Sequence, residues 1–159
     1  MSSFPINSFA KAWIFKRQDL KISDQDMQQL LPLSEDRAAA IWRDYVSEHC
    51  VHPDLLGELD WPKSETSLVE VVNWESRWDS EQTELPESAL THLENWSDET
   101  RVYFCYNNEQ VIETEWSVFR RCWKNFLFLD NGPLLLGKKK KQAIQFFSTG
   151  NCHLLLRKK

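Results

Sequence analysis

The chain has 159 residues, 42% hydrophobic and 27% charged, with only 4 Gly and 6 Pro. That is the size and composition of one folded domain, residues 1–159, and it excludes a disordered or low-complexity chain. The net charge of −5 conceals a split: residues 1–100 carry 8 Lys and Arg against 20 Asp and Glu, and residues 101–159 carry 11 against 4. Such a split is compatible with two faces of opposite sign, with self-association, with a basic patch for an anion, or with halves that neutralise each other on folding.

In chain order, Trp13 to Phe15 reads as a short strand. Ser23-Asp-Gln-Asp26 resembles a capping box, and Met27, Leu30 and Leu31 continue a helical stripe that Pro32 stops. Ser34 caps a second helix with Glu35 and Asp36 in its first turn, and Ala38, Ile41, Trp42, Tyr45 and Val46 form its apolar face. His52-Pro53, Gly57 and Trp61-Pro62 mark turns, and Leu68 to Val72 is a candidate strand. Trp74 and Trp78 are spaced as on one side of a short helix. Leu85-Pro86-Glu87 opens another helix, with Leu85, Ala89, Leu93 and Trp96 along its stripe.

The last third changes period. Val102 to Tyr106 and Val111 to Trp116, joined by Asn107 to Gln110, read as a β-hairpin with Glu113 and Glu115 on one strand face. Ser117 begins a helix buried along Phe119, Cys122, Trp123 and Phe126. Asp130-Asn-Gly-Pro133 is a turn, Leu134 to Leu136 a buried strand, Gln142 to Thr149 a short helix ended by Gly150, and Cys152 to Leu156 a final strand. The expected class is therefore α+β: a helical N-terminal part packed on a mostly antiparallel sheet formed largely by residues 101–157.

Cys50, Cys105, Cys122 and Cys152 are widely and irregularly spaced, and two of them lie in apolar runs. Free buried thiols are expected rather than a disulfide framework. Met1 to Asn7 has neither the basic nor the apolar part of a signal peptide. The longest apolar stretch, Phe126 to Leu136, is interrupted by Asp130 to Pro133 and falls short of a membrane span of about 20 residues. These features predict a soluble cytoplasmic protein without a membrane partner.

Several motifs suggest chemistry. Gly132 to Lys139 imitates a phosphate-binding loop, but Lys139 replaces the hydroxyl that would hold Mg²⁺ and the intervening residues are strand formers. His49-Cys50-Val51-His52 supplies at most three metal ligands, with no paired motif to complete a site. Neither metal nor cofactor is assigned, and no catalytic residue. Lys138, Lys139, Lys140 and Lys141 lie before the expected helix at Gln142, where cations oppose the helix dipole, and so call for a nearby anion. Arg120 and Lys124, four apart on the outer face of the preceding helix, extend this candidate anion-binding set. Trp61, Trp74 and Trp78, outside regular stripes, are candidates for an aromatic surface; their alternative role is to staple loops to the core.

The run Glu115-Trp-Ser-Val-Phe119-Arg-Arg-Cys-Trp123-Lys-Asn-Phe126-Leu-Phe-Leu-Asp130-Asn-Gly-Pro133-Leu134 resembles domain of unknown function number 2947, an uncharacterised bacterial family. Trp13-Ile-Phe, Trp74, Trp78-Asp79 and Leu85-Pro86 are also similar to it, so the resemblance spans nearly the whole chain. It implies a bacterial cytoplasmic protein and no particular chemistry. The expected function is a non-catalytic binding module for an unknown protein partner or for self-association. The alternatives are binding of nucleic acid or another phosphate-bearing ligand through the basic set, and a small enzyme with an unrecognised site.

Overall fold

In the computed structural model, which describes residues 3–78, 84–127 and 131–157, seven antiparallel strands form one sheet in the order β1-β4-β3-β5-β6-β7-β2. The strands are β1 (Leu31–Pro32), β2 (Leu68–Asn73), β3 (Arg101–Cys105), β4 (Val111–Glu115), β5 (Leu134–Gly137), β6 (Gln142–Phe146) and β7 (Asn151–Leu156). The expected hairpin is present as β3–β4, and β5 and β7 lie in the same sheet, so the α+β class holds. The four α-helices are α1 (Asp24–Gln28), α2 (Glu35–Tyr45), α3 (Glu87–His92) and α4 (Trp116–Phe126).

Both faces of the sheet are covered. Alternate residues point to opposite faces. Val102, Phe104, Leu135, Ile144 and Leu154 join one apolar cluster, with α3, α4 and the N-terminal segment. Tyr103, Cys105, Leu134, Leu136, Ala143 and Leu155 join a second, with α2 and the loop behind it. Burial on both faces explains the unbroken apolar run Leu134-Leu-Leu136.

It also explains one incorrect expectation. Gln142 to Phe146 is strand β6, not a helix, because a strand buried on both sides shows no polar–apolar alternation to identify it. Lys138 to Lys141 consequently form the β5–β6 turn and precede no helix. The turn is tight: a Cβ on Gly137 would lie 2.7 Å from the Trp96 ring, and Lys139 takes a φ of 61°.

Other departures are local. Ala12–Phe15 is a 3₁₀ turn that buries Ala12, Ile14 and Phe15 and leaves Trp13 outside, where a strand was expected. The helix from Ser23 ends at Gln28; Leu31 and Pro32 pair with Glu113 and Ile112 instead. α3 ends at His92, although Leu93 and Trp96 are buried as its stripe implied. α4 begins at Trp116, with Glu115 and not Ser117 in the cap position. Asp79 and Phe128 to Asp130, part of the family-like runs and of the expected turn, lie outside the described residues.

Helix α4 collects the fold. Phe119 and Phe126 lie 5.4 and 5.0 Å from Phe104 of β3, and Trp123 lies 6.2 Å from Trp78. Buried Asn125 donates through Nδ2 to the carbonyls of Ile14 and Leu20, both at 2.9 Å. Arg121 grips Asp26 of α1 through two bonds of 2.8 and 2.7 Å. That pairing holds the Asp26 carboxyl below the usual carboxylate range, against the opposing effect of burial.

Trp123 is 1% exposed, so Trp123→Ala is expected to destabilise the fold by roughly 3–5 kcal/mol in denaturant titrations. A loss under about 1 kcal/mol would contradict this packing. Asp26 makes a pH-dependent contribution. Its carboxyl titrates lower in the folded than in the unfolded chain, so its stabilisation is present above the ordinary carboxylate pKa of about 3.9 and is lost as pH falls through the folded value. Unfolding titrations of the wild type and Asp26→Asn should differ by a constant amount near neutrality and converge in acid. Arg121 is 56% exposed, so solvent screening keeps the gap modest.

Candidate functional site

A cleft of about 610 Å³ lies between the C-terminal end of α2, the loop through residues 58–67 and Arg157. Its wall is a loop with little regular structure, held by side chains. Trp42 Nε1 donates to the carbonyl of Cys50 at 2.7 Å, and Trp61 Nε1 to that of Tyr45 at 2.8 Å. Arg157 lies 5.6 Å from the Trp61 ring and donates to the carbonyl of Asp44 at 3.1 Å. A large ring that carries one N–H suits this work, since it contributes both apolar area and a donor where the backbone has few partners of its own.

Ser47, His49 and Asp60 all line the cleft, an apparent nucleophile, base and acid. The bonding argues otherwise. Buried Ser47 donates its hydroxyl proton to Asp60, and its Oγ accepts from the backbone N–H groups of His49 at 2.9 Å and Cys50 at 3.2 Å. Asp60 in turn accepts from Gly57 N at 2.9 Å. One hydroxyl can make one donation and accept twice, so Ser47 has no capacity left for a substrate. The pair is a clamp that closes the loop.

Three of the four thiols are equally unreactive. Burial pushes Cys122 and Cys152 up to about 12 and raises Cys105 further, which keeps all three protonated. All four cysteines are unpaired. Among the described residues no three His, Cys, Asp or Glu side chains gather as metal ligands. His52 Nδ1 accepts from Asp54 N at 3.1 Å and so caps a 3₁₀ turn. Glu113, on one strand face with Glu115, is half-buried and accepts from Arg101 Nε at 2.9 Å.

The basic residues of the candidate set are engaged in different ways. Arg120 bonds Glu84 at 3.0 Å, and Lys124 Nζ donates to the carbonyl of Trp78 at 3.0 Å. Both belong to α4, on one face of the sheet. The turn of Lys138 to Lys141 touches both layers: Lys139 N approaches the Tyr45 hydroxyl at 3.4 Å, and Lys140 lies over Gly137 beside Trp96 of the α4 layer. Lys138, Lys139 and Lys141 are exposed, and Lys140 lays its stem over Gly137. The tryptophans are likewise divided. Trp74 is buried beside Trp78, ring centroids 5.8 Å apart, in the α4 layer. Trp61 packs against the α2 layer. The sheet separates them, so all three staple segments to the core and form no joint surface.

A different feature is open: the β2 edge of the sheet. At the opposite edge, β1 has two residues, one of them Pro32, and its outer side is occupied by Phe4 N bonding Pro32 O at 2.9 Å and by a Ser3–Leu33 bridge. β2 has six residues and pairs only with β7 among the described residues. Leu68, Val69 and Val71 are 43%, 56% and 50% exposed. Its start, after Ser67, adjoins the cleft. No local pattern distinguishes such a strand from an inner one; Leu-Val-Glu-Val-Val reads the same in either place.

A model of the family described as "Protein of unknown function (DUF2947)" matches residues 3–154, and the chain belongs to that family. No curated protein and no solved structure matches it. Among the described residues, no helix is long and apolar enough to cross a membrane.

The clamp makes a specific prediction. Ser47→Ala leaves an Asp60 oxygen and two backbone N–H groups without their partner, at a cost of about 1–3 kcal/mol. Amide exchange should accelerate over residues 47–60 and remain slow in β3 and α4. Unchanged protection of the loop would show that Ser47 does not hold it.

Proposed function

We propose that this member of the family is a non-catalytic interaction module that takes up an extended polypeptide segment along the open edge of β2. The observation that carries this reading is the contrast between the two sheet edges. An uncovered edge is a row of unmet N–H and C=O groups, and proteins blunt such edges with Pro, charge, shortness or covering chain. β1 has shortness, Pro32 and the N-terminal segment. β2 has one bulge, between Leu68 and Glu70, and a single charge, Glu70, while Leu68, Val69 and Val71 face solvent. An added strand would satisfy the main-chain groups and cover these side chains, the mode by which several peptide-binding domains recognise extended ligands.

The backbone pattern identifies which residues would bond the ligand. Trp74 N bonds Gly150 O at 2.9 Å and therefore points toward β7. Alternation along an antiparallel ladder then turns Val72 and Glu70 toward β7 and leaves Asn73 and Val71 facing outward.

Selection from a random heptapeptide library against the immobilised protein should enrich sequences of alternating β-formers. Their binding, followed by fluorescence anisotropy, should be lost on Val71→Pro, which removes one outward N–H and none from the β7 ladder. N-methylation at alternate peptide positions should abolish binding to the unaltered protein. No enriched peptide, or enriched peptides that bind the Val71→Pro protein and tolerate N-methylation, would overturn the reading.

A further inference from the structure

Only part of the β2 edge offers a regular ladder. The register with β7 shifts between Leu68 and Glu70, whereas Glu70, Val71, Val72 and Asn73 pair without a break with Leu154, His153, Cys152 and Asn151. After Asn73 the chain turns in toward β7, where Trp74 N and Glu75 N both bond Gly150 O, at 2.9 and 3.1 Å. An added strand therefore finds its footing from Glu70 to Asn73, with main-chain bonds at Val71 and Asn73.

One charge stands in that footing. Residues directly opposite each other on neighbouring strands share a face of the sheet. Glu70 opposes Leu154 and Val72 opposes Cys152, both in the cluster on the α4 side, so Val71 and Asn73 project on the α2 side. Glu70 is exposed, and no cation among the described residues pairs with it. We infer that the segment taken up by this edge runs antiparallel to β2 and carries a lysine or arginine opposite Glu70, an inference that rests on the open-edge reading above.

The direction follows the sheet, in which every strand pair is antiparallel. Val71 and Asn73 point N–H and C=O outward, so each forms a hydrogen-bonded pair with the ligand residue facing it. Glu70 and Val72 then stand in the non-hydrogen-bonded pairs, where α-carbons are about 4.5 Å apart and side chains are closest. An opposite charge in such a pair favours it and a like charge opposes it. The carboxylate thus rejects acidic strands as well as selecting basic ones. The other face of the sheet offers a cation no such partner. Val71 opposes His153, whose ring lies 4.6 Å from that of Phe147, and Lys63 Nζ lies 5.2 Å from the Phe147 ring. From N to C the ligand reads a β-former opposite Asn73, a branched apolar residue opposite Val72, an apolar residue opposite Val71 and a cation opposite Glu70.

Heptapeptides selected from the random library test this. The enriched sequences should hold Lys or Arg at one fixed position. N-methyl scanning of an enriched peptide should find two sensitive positions, those facing Asn73 and Val71, with the cation immediately C-terminal to the second. Changing that cation to Glu should weaken binding on the order of tenfold by anisotropy at low salt, and less at high salt. Glu70→Lys should invert the preference, so that the Glu peptide binds more tightly than its cationic parent, with an unchanged melting temperature. Peptides that bind in a Val71→Pro-sensitive way without a cation preference, a cation elsewhere relative to the N-methyl-sensitive positions, or a preference unmoved by Glu70→Lys would overturn the inference and leave the open-edge reading standing. No enriched peptide would overturn both, and a Val71→Pro-sensitive dimer in sedimentation would then give the edge to a second copy.

Discussion

The structure depends on helix α4 and what its side chains hold. Its inner face places Phe119, Phe126 and Trp123 against the aromatic core around Phe104. Its flanks reach four separate stretches of the first half of the chain. Asn125 holds the segment around Ile14 and Leu20, Arg121 holds α1, Lys124 holds the backbone at Trp78, and Arg120 meets Glu84. Asn125 and Lys124 donate to backbone carbonyls of these segments, and Arg121 and Arg120 to carboxylates. A helix with long donors on its flanks meets these acceptors. The buried hydroxyl of Tyr106, bonding the carbonyl of Phe126 at 2.9 Å, ties the same helix back to the β3–β4 hairpin.

This arrangement accounts for part of the charge split. Arg120 and Arg121 from the basic half meet Glu84 and Asp26 from the acidic half, and Arg157 bonds the backbone at Asp44. Cations that look like a surface patch when read along the helix are thus engaged by the chain itself. Lys138 to Lys141 stand apart. They form a turn between two buried strands, and among the described residues none is paired with a carboxylate. Three of the four are exposed, where water solvates an ammonium group at no cost in folding.

Covering both faces of an antiparallel sheet has a further consequence. When helices and loops enclose the faces, the remaining ways into the sheet are its two edges. One is closed by proline and the N-terminal segment; the other is a strand of branched apolar residues in solvent. In the cleft beside it, Ser47, Asp60 and Trp61 hold their own loop. Ser47 is bonded to capacity, Asp60 accepts from Ser47 and from Gly57 N, and Trp61 is fixed by its indole N–H.

The sequence by itself determined the elements whose signals are local. The serine caps of α1 and α2, the apolar stripe of α4 and the hairpin with its Asn107–Gln110 turn are each decided within a dozen residues. Their caps, periodicity and turn chemistry act over that distance. Residue type alone also indicated that Cys105 and Cys122 are buried thiols. What only the tertiary structure decided is everything that depends on neighbours distant in sequence. β6 is a strand because it pairs with β5 and β7, and layers on both sides removed the alternation that would have marked it. β1 exists only because β4 lies beside it. Trp61 and Trp74, 13 residues apart in the chain, fall on opposite faces of the sheet. Whether Leu68 to Asn73 is an inner strand or an open edge follows from strand order, and strand order is set by long-range burial, which no local pattern records.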